Sequence, residues 1–371
     1  MTIEDELILQ CCRRADPEAE SRIQDILESG RLNWGSLIRT SVENRVFAQL
    51  SDSVATHPAT PRNVKLSLAA GCLRLGRQIA SVMQAFESAL PFIVETNQIV
   101  LLRGIEYAYT NNRGRQVRAI GDIDLLIDEP HSASVSGKLS DHYHLPSVVC
   151  SHAGQAGGSI EYHHNLNRWN GFSITAINMQ ELWERRHTTT IGGYDVGILA
   201  TEDKFVYLCQ HNVKKGFVRL YRFLDLAEII RSAKPDWEKV VKRAREWKLS
   251  RVVWINCFAL NVLLGETVPS NTMQALGLPR FVEIALRRCF SLQLILHDPN
   301  PALRTIESSR ATNLRKQLLI HLALINSRNW YKLAMTPIVA RALRLYASAY
   351  NWPGLGYGLC RIRSVVQGES Q

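Results

Sequence analysis

Arg118-Ala119-Ile120-Gly121-Asp122-Ile123-Asp124-Leu125-Leu126-Ile127 is the stretch on which the reading of this chain turns. From Ile120 onward it is an apolar run that predicts a buried strand, interrupted by two aspartates. Side chains alternate along a strand. Asp122 and Asp124 therefore project from one face, roughly 7 Å apart along the backbone, while Ile123, Leu125 and Ile127 point the other way into a core.

Two carboxylates so placed repel each other and lose hydration, which is costly unless something compensates. A divalent cation does so. Magnesium favours one or two carboxylates completed by phosphate oxygens and water. Where two ions work together on a phosphoryl group they stand roughly 3.5–4 Å apart, and a further carboxylate helps to hold them. Glu161 is the candidate third acid, because it lies in another strand candidate, Ser159-Ile160-Glu161-Tyr162-His163-His164-Asn165-Leu166. The plainer readings are a turn or cap for the aspartate pair and a solvent-facing acid on an edge strand for Glu161. The apolar run after the aspartates argues against the first. His163 and His164 face opposite sides of their strand, so they make no tight metal pair; His163 shares the face of Glu161 and is within reach of the acids.

Working outward, Ile99-Val100-Leu101-Leu102 is a continuous apolar run that predicts another strand, followed by Arg103-Gly104. A glycine there lets the backbone approach a ligand, and its amide can donate to phosphate. Arg103 and Arg118 are then placed to neutralise a triphosphate. Tyr194 to Leu199 predicts a fourth strand. Before this region the chain predicts short amphipathic helices over about 3–55 and a long one from about Arg62 to Glu87, opened by Pro61. After it, Thr201-Glu202-Asp203 marks a helix start. Further helices are predicted at about 217–232, 236–248, 250–264, 281–296, 311–327 and 337–349. The organisation expected is a helical region over residues 1–90, a catalytic core over 91–200 and a helical domain over 201–371. The fold class is α+β, a small mixed β-sheet flanked on both sides by helices.

The composition is that of a folded protein, with 46% hydrophobic and 21% charged residues. A net charge of +10 suits a polyanionic partner such as a nucleotide or RNA. No block of consecutive basic residues sharpens that inference. The eight cysteines form no C-x-x-C pair, which argues against a zinc or thioredoxin-like site and fits a reducing compartment. The acidic start Met1-Thr2-Ile3-Glu4-Asp5 is unlike a signal peptide. Val252 to Leu264 is broken by two asparagines and too short to span a bilayer. A soluble cytoplasmic protein without a membrane partner is expected.

The chain resembles the uncharacterised bacterial nucleotidyltransferase family within the DNA polymerase beta superfamily. The resemblance rests on Leu101-Leu102-Arg103-Gly104, on the Arg118 to Ile127 stretch, and on Glu161-Tyr162-His163. These stand where that family shows L-K-G, then R-x-x-x-D-I-D-L-L-V, then an acid-x-H strand. A later helical pattern is matched by Glu202-Asp203, His211, Lys214 and Leu224-Asp225-Leu226. The resemblance spans about residues 30 to 232. It implies a metal-bound nucleoside triphosphate, ATP among the candidates, with Asp122, Asp124 and Glu161 as metal ligands. Two departures stand out: Arg103 replaces the lysine, and Gly104-Ile105 replaces the superfamily's G-S pair.

The helical domain offers His211, Lys214 and Lys215 at the end of one helix and Arg219, Arg222 and Asp225 on the next. Lys214 and Arg222 are the candidates to close over the triphosphate; the alternative is charge that merely complements a helix dipole. The expected enzyme is a magnesium-dependent nucleotidyltransferase using one or two ions. It moves a nucleoside monophosphate from a triphosphate to a hydroxyl or phosphate acceptor and releases pyrophosphate. A small-molecule or peptide acceptor is favoured over RNA by the resemblance. The alternatives are a tRNA- or RNA-modifying nucleotidyltransferase and a non-catalytic nucleotide-binding scaffold.

Overall fold

The structure is a computed structural model that describes residues 1–13, 16–94, 99–110, 120, 122–127, 151–153, 159–163, 165–169, 172–173, 175–297, 319–320 and 322–324. Its centre is a mixed sheet, in which strands are numbered in chain order: β1 (Ile99–Leu102), β2 (Asp122–Ile127), β3 (Ser151–Ala153), β4 (Ser159–His163), β5 (Arg168–Trp169), β6 (Phe172–Ser173), β7 (His187–Ile191) and β8 (Tyr194–Ile198). Six of them form one sheet in the order β3-β4-β2-β1-β8-β7, and β5 and β6 make a separate ribbon. β1 runs antiparallel to β2 and parallel to β8, and β2 runs parallel to β4. The class is α+β, as the alternation of apolar runs and long helical patterns predicts.

The pleat divides the sheet into two chemically different sides. Ile99, Leu101, Ile123, Leu125, Ile127 and Ile160 pack with Val82, Phe86, Leu90 and Ile93 of the long helix Arg62–Val94. Val100, Leu102 and Leu126, on the alternate positions, belong to a larger core shared with the C-terminal helices. That larger core also takes in Leu7, Ile8 and Leu37 from the first helices, which thus bury their apolar faces together with helices after residue 200. Arg13 Nε reinforces the junction by donating to the Leu263 carbonyl at 3.3 Å.

Local chemistry accounts for most helix boundaries. Thr2 and Asp5 form a reciprocal cap on the first helix. Asp16 caps the second, with Pro17 in its first turn, and Asp236 caps Trp237–Glu246. Gly265, at φ 69°, ends Ser250–Leu264 in the left-handed conformation that glycine adopts without cost. The long helix runs past the expected end near Glu87, because Pro91 lies in its last turn and forfeits a single hydrogen bond. The predicted 281–296 helix is two, Arg280–Cys289 and Leu292–Leu296, separated by extended backbone at Phe290 (ψ 133°). Of the predicted 311–327 helix only 319–320 and 322–324 are described, and these are helical; 337–349 lies outside the described residues. Cys209 and Cys257 are buried, as expected of small apolar side chains, while Cys289 is partly exposed.

Candidate active site

Past the end of β1 the chain turns sharply at Arg103, whose φ of 64° is left-handed. For a residue with a Cβ this costs roughly 1–2 kcal/mol. The turn starts the helix Gly104–Thr110, with Glu106 N–H donating to the Arg103 carbonyl at 3.2 Å. Register places Leu102 opposite Asp124, so Arg103 emerges beside that acid. Its guanidinium Nη2 donates to Asp124 Oδ1, and Nη1 lies 2.9 Å from His211 Nε2. Asp124 is only 2% exposed, so the arginine supplies charge compensation that water cannot.

His163 approaches the same oxygen from β4, with Nε2 3.0 Å from Asp124 Oδ1. Parallel pairing sets Glu161 level with Asp124 and Ser159 level with Asp122. Strand alternation therefore puts positions 122, 124, 161 and 163 on one face of the sheet, the side of Val100 and Leu126. The side chains of Asp122 and Glu161, and the whole of Arg118, lie outside the described residues. Among the described side chains no three acids, histidines or cysteines converge on one point.

The helices Thr201–Lys214 and Tyr221–Glu228 cover this face. Their His211, Tyr221, Arg222 and Asp225 line a cleft with Arg103, Gly104 and Asp124. Desolvation of the His211 ring, reinforced by Arg103 and Arg222 nearby, holds its pKa well below the usual imidazole value. Lys214, on the same helix as His211, donates from Nζ to the Leu166 carbonyl at 3.3 Å. Desolvation and the neighbouring Arg103 and Lys215 bring its pKa down to about 8. Arg222 is 9% exposed, donates to the Val218 carbonyl and stacks on the Tyr221 ring at 4.9 Å. Arg45 lies over that ring too, at 5.2 Å. Arg103, Gly104 and Arg222 thus come together beside Asp124, while Lys214 is not among the residues that line the cleft.

The cleft is held by residues to which the sequence reading gave no such role. The helix predicted from 217 starts at Tyr221, because Gly216, Phe217 and Arg219 all adopt left-handed backbone (φ 72°, 59° and 73°). Buried Asn44 fixes that turn: its Oδ1 accepts from Leu220 N–H at 3.0 Å, and its Nδ2 donates to the Leu296 carbonyl at 2.9 Å. Besides the Thr40 carbonyl one turn back, it reaches partners 176 and 252 residues away, a link that no local pattern could reveal. Glu106, 2% exposed, forms an ion pair with Lys204 and so pins the helix after Gly104 to the covering helix. An acid two residues past the glycine, in an otherwise apolar and aromatic segment, was the signal for it. Asp203, which marked a helix start, makes no cap; it accepts from Arg185 Nε at 2.9 Å and Arg243 Nε at 2.5 Å.

Residues 30–265 match a protein family described as uncharacterised nucleotidyltransferase, a span of well over half the chain. The chain belongs to that family. Nucleotidyl transfer, with a nucleoside triphosphate as donor, is the activity that membership supports, and the matched span holds Asn44, the whole sheet and both covering helices. Neither the curated proteins nor the solved structures contain a match. No described helix is long and apolar enough to cross a membrane.

Proposed function

We propose that this nucleotidyltransferase moves a nucleoside monophosphate from a triphosphate to a hydroxyl or phosphate acceptor, with pyrophosphate as the leaving group. The observation that carries the reading is Asp124, a buried carboxylate that lines a cleft together with Arg103, Arg222 and Asp225. In such a cleft a polyphosphate and its cation would be held from opposite sides.

The donor set fits a divalent ion such as magnesium. Asp124 offers an oxygen that already attracts the Arg103 cation, and the register of β2 and β4 brings Asp122 and Glu161 to the same face. We assign Asp122, Asp124 and Glu161 as the residues that would hold one or two Mg2+ ions. The metal would neutralise charge on the triphosphate and polarise the phosphorus under attack. The chain's own groups do the rest. The Gly104 amide and Arg103 orient the phosphates, with Arg118 as a further candidate. Arg222 binds from the covering helix, and Lys214 adds positive potential. We assign Glu161 the further role of taking the proton of an attacking hydroxyl. With Glu161 level with Asp124 in register, the acceptor would be deprotonated close to the phosphate it attacks.

This arrangement of an aspartate pair on one strand and an acid on the next is the reason we place the chain within the DNA polymerase beta superfamily. The acceptor we favour is a small molecule or peptide, following the family resemblance. An RNA acceptor would reveal itself by binding that weakens steeply with added salt. Thermal unfolding with each of the four common nucleoside triphosphates, with and without Mg2+, tests the reading on wild type and Asp124→Asn. Metal-dependent stabilisation by a triphosphate, absent in the variant, is the expected result. Absence of any shift, together with a variant more stable than wild type, would turn the site into a scaffold that retains the fold without the chemistry.

A further inference from the structure

We propose that His211 is a positioning residue for the triphosphate: its ring holds the Arg103 guanidinium in place and leaves Nε of that arginine to donate to a phosphate oxygen. The proposal rests on the nucleotide-transfer reading of the cleft and adds the group that aims one of its cations.

A guanidinium donates through three nitrogens, and two of those on Arg103 are taken within the protein. Nη2 donates to Asp124 Oδ1, with His163 Nε2 3.4 Å away. Nη1 lies 2.9 Å from His211 Nε2 and 3.1 Å from His211 Nδ1. The third nitrogen, Nε, is buried and has no hydrogen-bond partner among the described residues. Arg222 lines the same cleft, and its Nε is in the same condition. A buried cationic donor without an acceptor is costly. Two of them on the residues of one cleft favour an anionic acceptor, and a polyphosphate offers several oxygens at once.

His211 governs whether Arg103 keeps that attitude. Arg103 leaves β1 in left-handed backbone, and its contact with Asp124 fixes one nitrogen, about which the guanidinium can still turn. A second contact, on the neighbouring nitrogen, removes that freedom and so sets the direction of Nε. The contact comes from the covering helix Thr201–Lys214, so it also ties the end of β1 to the helices above the sheet.

The ring is suited to the task only when neutral. In a neutral imidazole one nitrogen always carries a lone pair, so either tautomer can accept from Nη1. A protonated ring has none and would repel the guanidinium. Burial, and the cations Arg103, Arg222, Lys215 and Lys214 around it, keep the proton off. The plain alternative is that His211 only fills space beside Tyr207, whose ring centroid is 6.4 Å away. Any side chain of similar bulk would then serve.

The experiment titrates the full chain calorimetrically with inorganic tripolyphosphate at fixed free Mg2+, a probe that carries the phosphates without a base. His211→Gln keeps an oxygen that can accept from Arg103, whereas His211→Leu keeps bulk and loses the acceptor. The expected result is a Kd within about threefold of wild type for glutamine and about tenfold weaker for leucine. Arg103→Lys should weaken binding about tenfold as well. The pair Arg103→Lys with His211→Leu should be no worse than either alone, because both changes act through one group. His211→Ala replaces the leucine variant should that one fail to fold. Leucine and alanine variants that bind as wild type does, or a glutamine variant as weak as they are, would overturn the positioning role. So would a double variant weakened about a hundredfold, the product of independent effects. Each of these leaves the transferase reading intact, since wild type still binds the probe. Wild type that does not bind tripolyphosphate overturns both.

Discussion

Arg103 and Asp124 meet where β1 ends, the arginine in left-handed backbone and its guanidinium on the oxygen of an acid that is 2% exposed. The strain of the turn and the burial of the carboxylate are offset by the same contact. Arg103→Lys keeps the charge but lacks the planar fork that reaches Asp124 and His211 together. We expect the KM for the triphosphate to rise about tenfold with a smaller change in kcat. Asp124→Asn should lower kcat about a thousandfold, in the range for loss of a group that acts on the developing charge. Steady-state pyrophosphate release measures both.

The Glu106–Lys204 pair predicts a pH-dependent stability defect. Burial pushes the Glu106 carboxyl above its usual value even with Lys204 beside it. A carboxyl whose folded pKa exceeds its unfolded pKa binds its proton more tightly when folded. Stability therefore falls as pH rises between those two values and levels off above the folded one. Lys204→Met removes the compensating cation, so the folded pKa should climb further. The variant should lose about 3–5 kcal/mol near neutral pH and recover much of this toward pH 4.5, where Glu106 is protonated. Adding Glu106→Gln should restore most of the loss at neutral pH. Urea denaturation at several pH values reads each outcome.

His211 predicts the opposite slope. Its folded pKa is held below the unfolded value by desolvation and by Arg103 and Arg222. Below about pH 6.5 the unfolded chain takes up a proton that the folded chain refuses. Stability then declines as pH falls from there, by at most about 1.4 kcal/mol per pH unit for one proton. His211→Gln should flatten that part of the curve, as seen in the midpoint of thermal unfolding between pH 6.5 and 5.

Asn44 holds the turn before Arg222 from a distance. Asn44→Ala strands a buried Leu220 amide and a Leu296 carbonyl, and should cost about 3 kcal/mol. Because the released turn leads into the helix bearing Arg222, triphosphate affinity should weaken as well. Calorimetric titration under conditions where the variant stays folded separates the two effects.

What the sequence disclosed depended on how local each cause was. β1 and the Ile123–Ile127 part of β2 announce themselves as apolar runs, because a strand buried on both faces needs apolar residues at successive positions, whereas β4 and β8 are mixed runs. β7 gives no such signal: His187-Thr188-Thr189-Thr190-Ile191 is a mostly exposed edge strand that owes its place to pairing with β8. Ser151–Ala153 is three residues long and carries no period. The strand positions of Asp122, Asp124 and Glu161 were legible from the sequence, and Asp124 stands out as a buried acid among apolar neighbours. Asn44 and Lys204 were not, since their meaning lies in partners far along the chain. The left-handed turn at Phe217 and Arg219 was hidden for a related reason. Neither residue type favours that conformation, and the surrounding packing imposes it.

The sheet, with its greasy side against the long helix and its acidic side under the covering helices, also sets the terms on which such a protein can diverge. Residues pointing toward Phe86 and Ile93 answer only to one another, and any change there disturbs the platform. Residues on Tyr221–Glu228 answer to whatever occupies the cleft. New specificities can therefore accumulate on one surface while the other is inherited unaltered, with a single layer of backbone keeping the two histories apart.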